Sequence, residues 1–460
     1  MRLVFESSAE RHRLLTLAPH LVRPLAFTWP VYAGARVPRW KLGAGLLLYD
    51  ALALFRNVSR HRRLSRADVL EREPMLLQDG LLGGALYYDA ATDDARLALA
   101  NAIGAVEAGA VAMNHAAVTA LITENGRVVG ATVHDAFDGD DVQVHATVVV
   151  NATGPWSDEL RRLDETTPPS VRGSKGVHIA GQRQRVGNLG ALTLLSPRDG
   201  RVLFVLPAEA HAIIGTTDTY TTSSPDDVRA SNEDVHYLLD AANTFFPAAH
   251  LSPDDIVSAW AGIRPLLSTG GDVPSSVSRE HAIVTSAKGL VSITGGKLTT
   301  YRVMASDVVR IVLAALKQTP GPDRARSLPL PGGDFGALEP LVASAAALTR
   351  DASLARHLVT SYGTRWPRVW EEILCADGQT IVADGLPYTL GELRYCIRHE
   401  MAYTLGDLLI RRTHLAYETV DHGMAGALRV AALLPLGVQA AEAIRDYEGE
   451  VLGMFGVDRT

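Results

Sequence analysis

The sequence predicts a mixed α/β body, of the α/β or α+β class, followed by a helical C-terminal domain. Hairpin signals separate short apolar runs between residues 117 and 295, which is typical of strands joined by tight turns. Residues 319–336, TPGPDRARSLPLPGGDFG, are rich in proline, glycine and charge and indicate a linker. Helical patterns dominate after them. We therefore divide the chain into a body of residues 1–320, a linker of residues 321–336 and a helical domain of residues 337–460.

The composition is that of a globular protein and excludes several other classes. Of 460 residues, 47% are hydrophobic and 21% are charged, which argues against disorder, collagen-like repeats and a coiled coil. The net charge of −7 indicates no general nucleic-acid-binding surface, so no nucleic acid is expected as a partner. Cys375 and Cys396 form no CxxC pair and fit buried or inert thiols in a reducing compartment. The fifteen histidines lack metal-ligand spacing, and no metal is expected.

The N-terminal region combines a helical-looking opening with an apolar run and a basic segment. The chain opens on RLVFESSAERHRLL, with no strand and no signal peptide before it. The run from Leu42 to Phe55 contains Asp50 and is too short to span a membrane as a helix. The segment RNVSRHRRLSR, with its cluster of arginines, follows directly. Two interpretations stand: an apolar run resting on an anionic membrane surface, or a solvated connector packed on the body.

Turn signals predict most strands of the body. Asn125-Gly126, Asp199-Gly200 and Lys288-Gly289 each separate two apolar runs and predict three hairpins. Residues 147–150, TVVV, predict a fully buried strand.

Capping signals predict helices in both parts of the chain. Ser231 with Asp234 forms a plausible capping box, and a second helix should follow Gly295-Gly296. Thr389 with Glu392 predicts a capping box ahead of LRYCIRHEMAYTLGDLLIRR. An apolar stripe runs through that segment at helical spacing: Leu393, Ile397, Met401, Leu405 and Leu408.

Two glycine-containing turns after predicted strands are candidates for ligand contact. In VVVNATGPW, residues 148–156, Gly154 lets the backbone approach a ligand closely. In SITGGKLTTYR, residues 292–302, two glycines lead into a helix whose free N–H groups favour an anion, and Lys297 adds a cation. A phosphate or a reduced flavin ring would suit this second turn. The alternative for each is a plain connection between a strand and a helix.

Four further segments carry polar residues near strand ends: GVHI (176–179), IIGTTD (213–218), AGIRPLL (261–267) and SREH (278–281). Arg264 presents a planar fork suited to carboxylate or phosphate. The alternatives are a satisfied core histidine at His178, structural ion pairs at Arg264 or Arg279, and an N-cap at Asp218. No phosphate loop, HExxH or GxSxG motif competes with these candidates.

Together these segments resemble the FAD-dependent, quinone-linked glycerol-3-phosphate dehydrogenases. NATGPW, KGVHI, IIGTTD, AGIRPLL, SREH and GGKLTTYR stand in the order seen in that family, and ERHRLLTLAPHLVRPL, YYDAATDDARL and EMAYTLGDLLIRRT resemble it too. The resemblance covers essentially the whole chain. It implies an FAD-dependent oxidoreductase fold of the two-dinucleotide-binding-domain type, with an antiparallel substrate-domain sheet and a helical C-terminal domain.

The resemblance also implies a reaction and residue roles. Such enzymes oxidise the C2 hydroxyl of glycerol 3-phosphate, a hydride passing to FAD and a proton to a base. His178, Arg264 and Asp218 would be the catalytic residues, with His178 the better proton acceptor because Arg stays protonated. Arg279 and Lys297 would bind the substrate phosphate. The FAD contacts would be Val118, Thr153, Gly154, Pro155, Trp156, Gly295, Gly296, Lys297, Leu298 and Thr299.

Partners and location follow from the same resemblance. Reduced flavin would pass its electrons to quinone, which gives the segment from Leu42 to Arg66 a reason to meet a membrane. The expected location is the cytoplasm, with peripheral contact to the inner face of the cytoplasmic membrane as the further interpretation.

The chain departs from the family at its start. The family begins with a strand, a GxGxxG turn and a helix, which hold the pyrophosphate of FAD; Gly43-Ala44-Gly45 lacks the third glycine and a preceding strand, and we interpret it as a decoy. We therefore expect a truncated chain whose given start codon is internal. The alternatives are a non-catalytic chain that binds no flavin, and a glycine-oxidase-like amine oxidase, against which the phosphate-binding cations argue.

Overall fold

A computed structural model describes residues 2–52, 59–164, 170–267, 280–435 and 439–458. It confirms a mixed α/β body followed by a mainly helical C-terminal part. The strands are β1 Val22–Tyr32, β2 Arg62–Leu64, β3 Leu81–Thr92, β4 Ala116–Glu124, β5 Arg127–Asp135, β6 Asp141–His145, β7 Val150–Asn151, β8 Val171–Gln182, β9 Ala191–Leu195, β10 Val202–Ala208, β11 His211–Gly215, β12 Thr219–Tyr220, β13 Ala230–Ser231, β14 Ile256–Leu267, β15 His281–Thr285, β16 Val291–Gly295 and β17 Val457–Asp458.

The helices are α1 Arg2–Leu17, α2 Arg39–Leu52, α3 Arg66–Arg72, α4 Asp94–Glu107, α5 Ser157–Asp164, α6 Arg183–Val186, α7 Asn232–Phe245, α8 Tyr301–Ala315, α9 Leu338–Thr349, α10 Ala352–Tyr362, α11 Trp366–Leu374, α12 Leu390–His399, α13 Leu415–Glu418, α14 Met424–Ala431 and α15 Ala440–Phe455. A π-helical turn, Asp407–Arg412, lies between α12 and α13.

The largest sheet in the described part of the chain has nine strands. Its order is β12-β8-β11-β10-β9-β1-β3-β2, and β14 also pairs with β8. All its pairings are antiparallel except that of β1 with β9, so the expected antiparallel sheet is in fact mixed. The apolar face of α7, including Leu238 and Phe245, joins Ile179 and Leu192 of the sheet in one core. This packing leaves the opposite face of β8 and its neighbours available for a site.

The three predicted hairpins are confirmed as β4–β5, β9–β10 and β15–β16. The capping box at α7 is also confirmed: the Asp234 N–H donates to Ser231 Oγ at 3.3 Å, and the Ser231 N–H donates to Asp234 Oδ2 at 3.0 Å. The fully buried strand predicted over 147–150 is wrong. Only Val150–Asn151 forms a strand, and Val150 is exposed, because β7 lies at the edge of the sheet β15-β16-β7.

Gly43 and Gly45 lie inside α2, which confirms that they form no dinucleotide-binding turn. This helix buries Leu42 and Leu46 but exposes an apolar face, with Trp40 72% exposed and Leu47 and Leu48 57% exposed. None of the helices in the described ranges combines the length and hydropathy needed to cross a bilayer.

The C-terminal part forms its own apolar core, to which α12, the π-helical turn, α14 and α15 contribute. Thr389 caps α12 by accepting from the Glu392 N–H at 3.2 Å. The helix ends at His399 and does not continue through the apolar stripe, because Met401 adopts a left-handed φ of 52°. Both cysteines are free thiols, and Cys396 is buried whereas Cys375 is exposed.

Candidate active site

A cavity of about 530 Å³ lies between one face of the large sheet and the C-terminal part. Residues of three neighbouring strands line it, and the main side chains are those that share one face of the sheet, because every second side chain of a strand points to the same face. The sheet contributes Gly176, His178 and Ala180 of β8, His211 and Ile213 of β11, and Trp260, Gly262 and Arg264 of β14. The C-terminal part contributes Ile410, His414, Tyr417 and Glu418.

His178 lies on β8 between two neighbouring strands. Its partner on β14 is Trp260, and the two rings stack with centroids 5.6 Å apart at 19°. Its partner on β11 is Gly215, where a Cβ atom would overlap His178 Cδ2, so only glycine leaves room for the ring. Burial, followed by the charge of Arg264, lowers the pKa of His178 to about 4. The imidazole is therefore neutral at pH 7 and able to accept a proton.

Arg264 is held in the same cavity by a set of acceptors. Its Nη2 donates to Thr216 Oγ1 at 3.0 Å, and its Nη1 donates to the Thr217 carbonyl and to Asp218 Oδ1, each at 3.3 Å. The guanidinium lies over Gly176 of β8, where a Cβ atom would come within 2.5 Å of Nη2. The structure thus places His178 and Arg264 together, and the ion pair considered for Arg264 is also present.

The resemblance implied that Asp218 lines the pocket, but Asp218 lies behind Arg264 and is not among the described residues that line the cavity. Ser174 Oγ donates to the same Oδ1 that accepts from Arg264. The N-cap alternative for Asp218 is wrong, because strand β12 begins at Thr219. Asp218 therefore fixes Arg264 and partly neutralises its charge.

The C-terminal wall of the cavity carries an ion pair. His414 Nε2 lies 3.0 Å from Asp93 Oδ2, and the Asp93 carboxylate also accepts the Arg96 N–H at the start of α4. Burial alone would lower the pKa of His414, but the Asp93 carboxylate outweighs it and raises the pKa to about 9. The pair joins the body to the C-terminal part beside the cavity.

Trp260 and this C-terminal wall are not among the site residues predicted from the sequence. Trp260 precedes Arg264 by four residues on one strand, so period-two alternation would have placed it on the same face. His414, Tyr417 and Glu418 stand in no local spacing to β14. Only tertiary packing brings them to the site.

The two predicted glycine turns meet at one edge of the sheet β15-β16-β7. They follow β7 and β16, which are parallel neighbours with Asn151 paired to Ser292. The carboxyl ends of adjacent parallel strands form a common ligand-binding edge in α/β sheets. Asn151 orders the first turn, because its Nδ2 donates to the Ser157 carbonyl at 2.9 Å and its Oδ1 accepts from Thr153 Oγ1 at 2.7 Å.

The residues of this edge fit the FAD implied by the resemblance. Gly154 has φ 58° and open space where a Cβ atom would stand. Gly295 and Gly296 have φ 73° and 88°, which favour glycine, and the helical turn Leu298–Thr300 then leads into α8. The first N–H groups of that helical run favour a phosphate or another electron-rich group. Pro155 and Trp156 complete the first turn, and Trp156 is 39% exposed there.

The remaining predicted site residues lie at different places. Lys297 is the N-cap residue just before the helical turn and is not among the described lining residues of the cavity. Leu267, three residues beyond Arg264 on β14, lies 3.1 Å from the Cβ position of Gly295, so the glycine turn lies near that end of β14. Val118 lies on β4, which packs on α5 after the first turn. Arg279 lies outside the described residues.

Comparison with known proteins identifies the family. Residues 1–302 match the family described as FAD dependent oxidoreductase, and residues 324–440 match the C-terminal domain of alpha-glycerophosphate oxidase. The chain is 33% identical over 425 residues to the aerobic glycerol-3-phosphate dehydrogenase of Bacillus subtilis (strain 168), covering 90% of this chain and 76% of that relative. It is 37% identical over 440 residues to the glycerol-3-phosphate dehydrogenase of Mycobacterium leprae (strain TN), covering 93% of this chain and 74% of that relative.

A solved structure shows the same fold. The glycerol-3-phosphate dehydrogenase from Bacillus halodurans, complexed with FAD, superposes with a TM-score of 0.81 at 31% identity, covering 97% of this chain and 85% of that one.

Proposed function

The chain belongs to the family of FAD-dependent oxidoreductases, and on that premise we propose that it oxidises sn-glycerol 3-phosphate to dihydroxyacetone phosphate. The observation that carries the proposal is the pairing of a neutral histidine, His178, with a fixed guanidinium, Arg264, across one cavity. The names of the similar proteins supply the substrate.

His178 is the proton acceptor of the proposed reaction. Oxidation of a secondary alcohol removes the hydroxyl proton and a hydride from the same carbon, and a neutral imidazole accepts the proton at pH 7. FAD, when bound, supplies the two-electron acceptor that takes the hydride with the electron pair of the C2–H bond. The turns at Thr153–Trp156 and Gly295–Thr299 are the part of this chain that would hold it.

Arg264 orients and polarises the reacting oxygen. Its guanidinium stays protonated and therefore does not serve as the base. Asp218, Thr216 and the Thr217 carbonyl hold it with a defined direction, so its positive charge is positioned to stabilise the oxygen as it becomes a carbonyl.

Lys297 binds the phosphate in this proposal. Lys297 follows the Gly295 turn, and that turn adjoins Leu267 near the end of β14 that also carries Arg264. The hydroxyl end of the substrate would lie at His178 and the phosphate end would point toward Lys297. Arg279 is the second proposed phosphate ligand. Charge-assisted bonds from lysine and arginine are the strongest available to a phosphate.

We further propose that the electrons pass to a membrane quinone and that α2 brings the chain to the membrane surface. The exposed face of α2 presents Trp40, Leu47 and Leu48 to solvent. The guanidinium of Arg63 lies 3.2 Å from the Cβ position of Gly43 on this helix, so the basic strand β2 adjoins it. An apolar helix face beside arginines suits an anionic bilayer, where a quinone is dissolved.

The test uses the full chain purified with FAD under anaerobic conditions. We expect glycerol 3-phosphate to bleach the oxidised-flavin absorbance, and glycerol and glycine to leave it unchanged. Bleaching by glycine alone would support the amine-oxidase alternative and contradict this proposal. Protein that retains no flavin in the presence of excess FAD would also contradict it.

A substitution tests the phosphate assignment. Lys297→Ala should raise KM about 10- to 100-fold with little change in kcat, because a charged hydrogen bond contributes roughly 1.5–3 kcal/mol. Lys317→Ala, at an exposed position just after α8, is the matched control and should leave KM unchanged. Equal KM values for the two variants would contradict the assignment of Lys297 to the phosphate site.

A further inference from the structure

The imidazole of His178 is held by packing. In the described part of the chain, the structure gives its ring nitrogens no hydrogen-bond partner, whereas many catalytic histidines are oriented by a carboxylate or a carbonyl. One ring face stacks on Trp260, and one edge lies against the backbone of Gly215. The direction of the ring therefore depends on the position of Trp260.

Trp260 is in turn held by the C-terminal part. Tyr417 meets its ring edge-on, with centroids 5.1 Å apart at 84°, and Phe455 meets Tyr417 at 5.0 Å and 82°. Ser258, two residues before Trp260 on β14, donates its hydroxyl to the Tyr417 carbonyl at 2.8 Å. Trp260 packs against the C-terminal core through these contacts. A continuous row of rings thus links α15 and α13 with His178.

We propose that Trp260, held in place by Tyr417 of the C-terminal part, positions the ring of His178 for proton transfer. The inference rests on the proposed function, in which His178 is the base. The C-terminal part then has a role in catalysis, because it fixes the direction of the His178 ring through an aromatic stack.

The stack suits a base that must stay neutral. A carboxylate partner would favour the protonated imidazole, whereas an indole face removes water from one side without adding charge. The charged or titratable groups of described residues that share the cavity lie on β14, on β11, around α13 and at the start of α4: Arg264, His211, His414, Tyr417, Glu418, Asp93 and Asp94. Among the described residues, Trp260 is the side chain stacked on the His178 ring.

The test compares variants along the row of rings. Trp260→Leu and Tyr417→Ala remove the stack and its support, and Trp260→Phe is the conservative replacement. Tyr403→Ala is the matched control, because Tyr403 also joins the C-terminal part to the body, by an edge contact with Phe137 at 5.6 Å, but does not touch Trp260. All variants are studied as the full chain with FAD.

Steady-state kinetics give the first readout. A misplacement of about 1 Å can reduce a rate roughly 100-fold. We expect Trp260→Leu and Tyr417→Ala to lower kcat about 10- to 100-fold, with KM changed less than about two-fold. Trp260→Phe should recover most of kcat, and Tyr403→Ala should resemble the unmodified protein. Equal losses in Tyr403→Ala and Tyr417→Ala would overturn the proposal, because loosening of the domain contact would then explain both.

The second readout does not depend on turnover. Ring 15N signals of His178, assigned with His178→Gln, report its pKa and ring environment in the FAD-loaded protein without substrate. We expect the pKa to rise toward the ordinary histidine range in Trp260→Leu and Tyr417→Ala, and to stay unchanged in Tyr403→Ala. Unchanged His178 signals in the first two variants would overturn the positioning role. If the unmodified protein fails to oxidise glycerol 3-phosphate, the proposed function fails, while these signals still decide whether the row of rings holds His178.

Discussion

The guanidinium of Arg264 occupies the space that a side chain at Gly176 would need. A Cβ atom at Gly176 would stand 2.5 Å from Nη2 and 2.7 Å from Nη1 and Cζ of Arg264. Gly176 lies on β8 opposite Gly262 of β14, and the long arginine side chain crosses from β14 to β8 over Gly176. The absence of a Cβ atom on β8 is thus what lets Arg264 lie beside His178.

Gly176→Ala should therefore displace Arg264 and lower kcat/KM about 10- to 100-fold, because an orienting group moved by about 1 Å loses much of its effect. The measurement is steady-state kinetics with glycerol 3-phosphate, together with the melting temperature. Gly173→Ala is the control on the same strand, since its Cβ atom would point to the opposite face, toward Ile263. A Gly176→Ala variant with unchanged kinetics would contradict the assignment of Arg264 to the reaction.

The lowered pKa of His178 predicts an unusual pH profile. A base with a pKa of about 4 stays deprotonated across the range in which an ordinary histidine, with a pKa near 6.5, becomes protonated. We expect kcat/KM to stay level from pH 7 down to about 5 and to fall toward pH 4. An acid limb centred near 6.5 would show that the base is solvated or is another group.

The lowered pKa of His178 also makes the free energy of unfolding depend on pH. Between pH 4 and 6.5 the unfolded chain binds a proton at His178 that the folded chain does not bind. The contribution of this residue to the free energy of unfolding therefore rises with pH in that window and is level above it. His178→Gln should flatten this part of the stability profile, as measured by urea unfolding at several pH values.

A buried ion pair joins α4 to the C-terminal part. Arg96 donates to Glu400 at 2.7 and 3.1 Å, and the two residues are 7% and 2% exposed. Glu400→Gln leaves the arginine charge buried without its anion and should cost about 3–5 kcal/mol of stability. Glu339→Gln breaks the exposed pair with Arg356 and should reduce the stability much less than Glu400→Gln does. Similar losses in both variants would contradict this account.

The exposed face of α2 predicts binding to anionic vesicles. Replacing Leu47 and Leu48 together by Glu should weaken binding at least about 10-fold, because each half-exposed leucine contributes roughly 1 kcal/mol on insertion. Leu428→Glu, at an exposed position on α14, is the control and should leave binding unchanged. Vesicle sedimentation measures the binding of the double variant and of the control. Vesicles without anionic lipid should bind less of every variant. Equal binding by the double variant and the control would contradict a membrane role for α2.

Local signals in the sequence predicted hairpins and helix starts well. They failed where the structure of a segment depends on packing partners elsewhere in the chain. Asn125-Gly126 and the Ser231–Asp234 capping box act within a few residues, so the sequence contained all that mattered. The TVVV run forms only the end of an edge strand, because burial of a strand depends on partners elsewhere in the chain. The helix predicted through Met401 breaks at a left-handed residue that no periodicity reveals.

The sequence by itself determined the α/β class, the two glycine turns and the candidate residues His178 and Arg264, because their signals are local in spacing or carried by a motif. Only the tertiary structure decided that Trp260 stacks on His178 and that Tyr417 supports it. It also decided that Asp218 lies behind Arg264. These contacts join residues far apart in the chain, and their geometry is set by strand register and by the packing of the C-terminal part on the sheet, neither of which leaves a local pattern in the sequence.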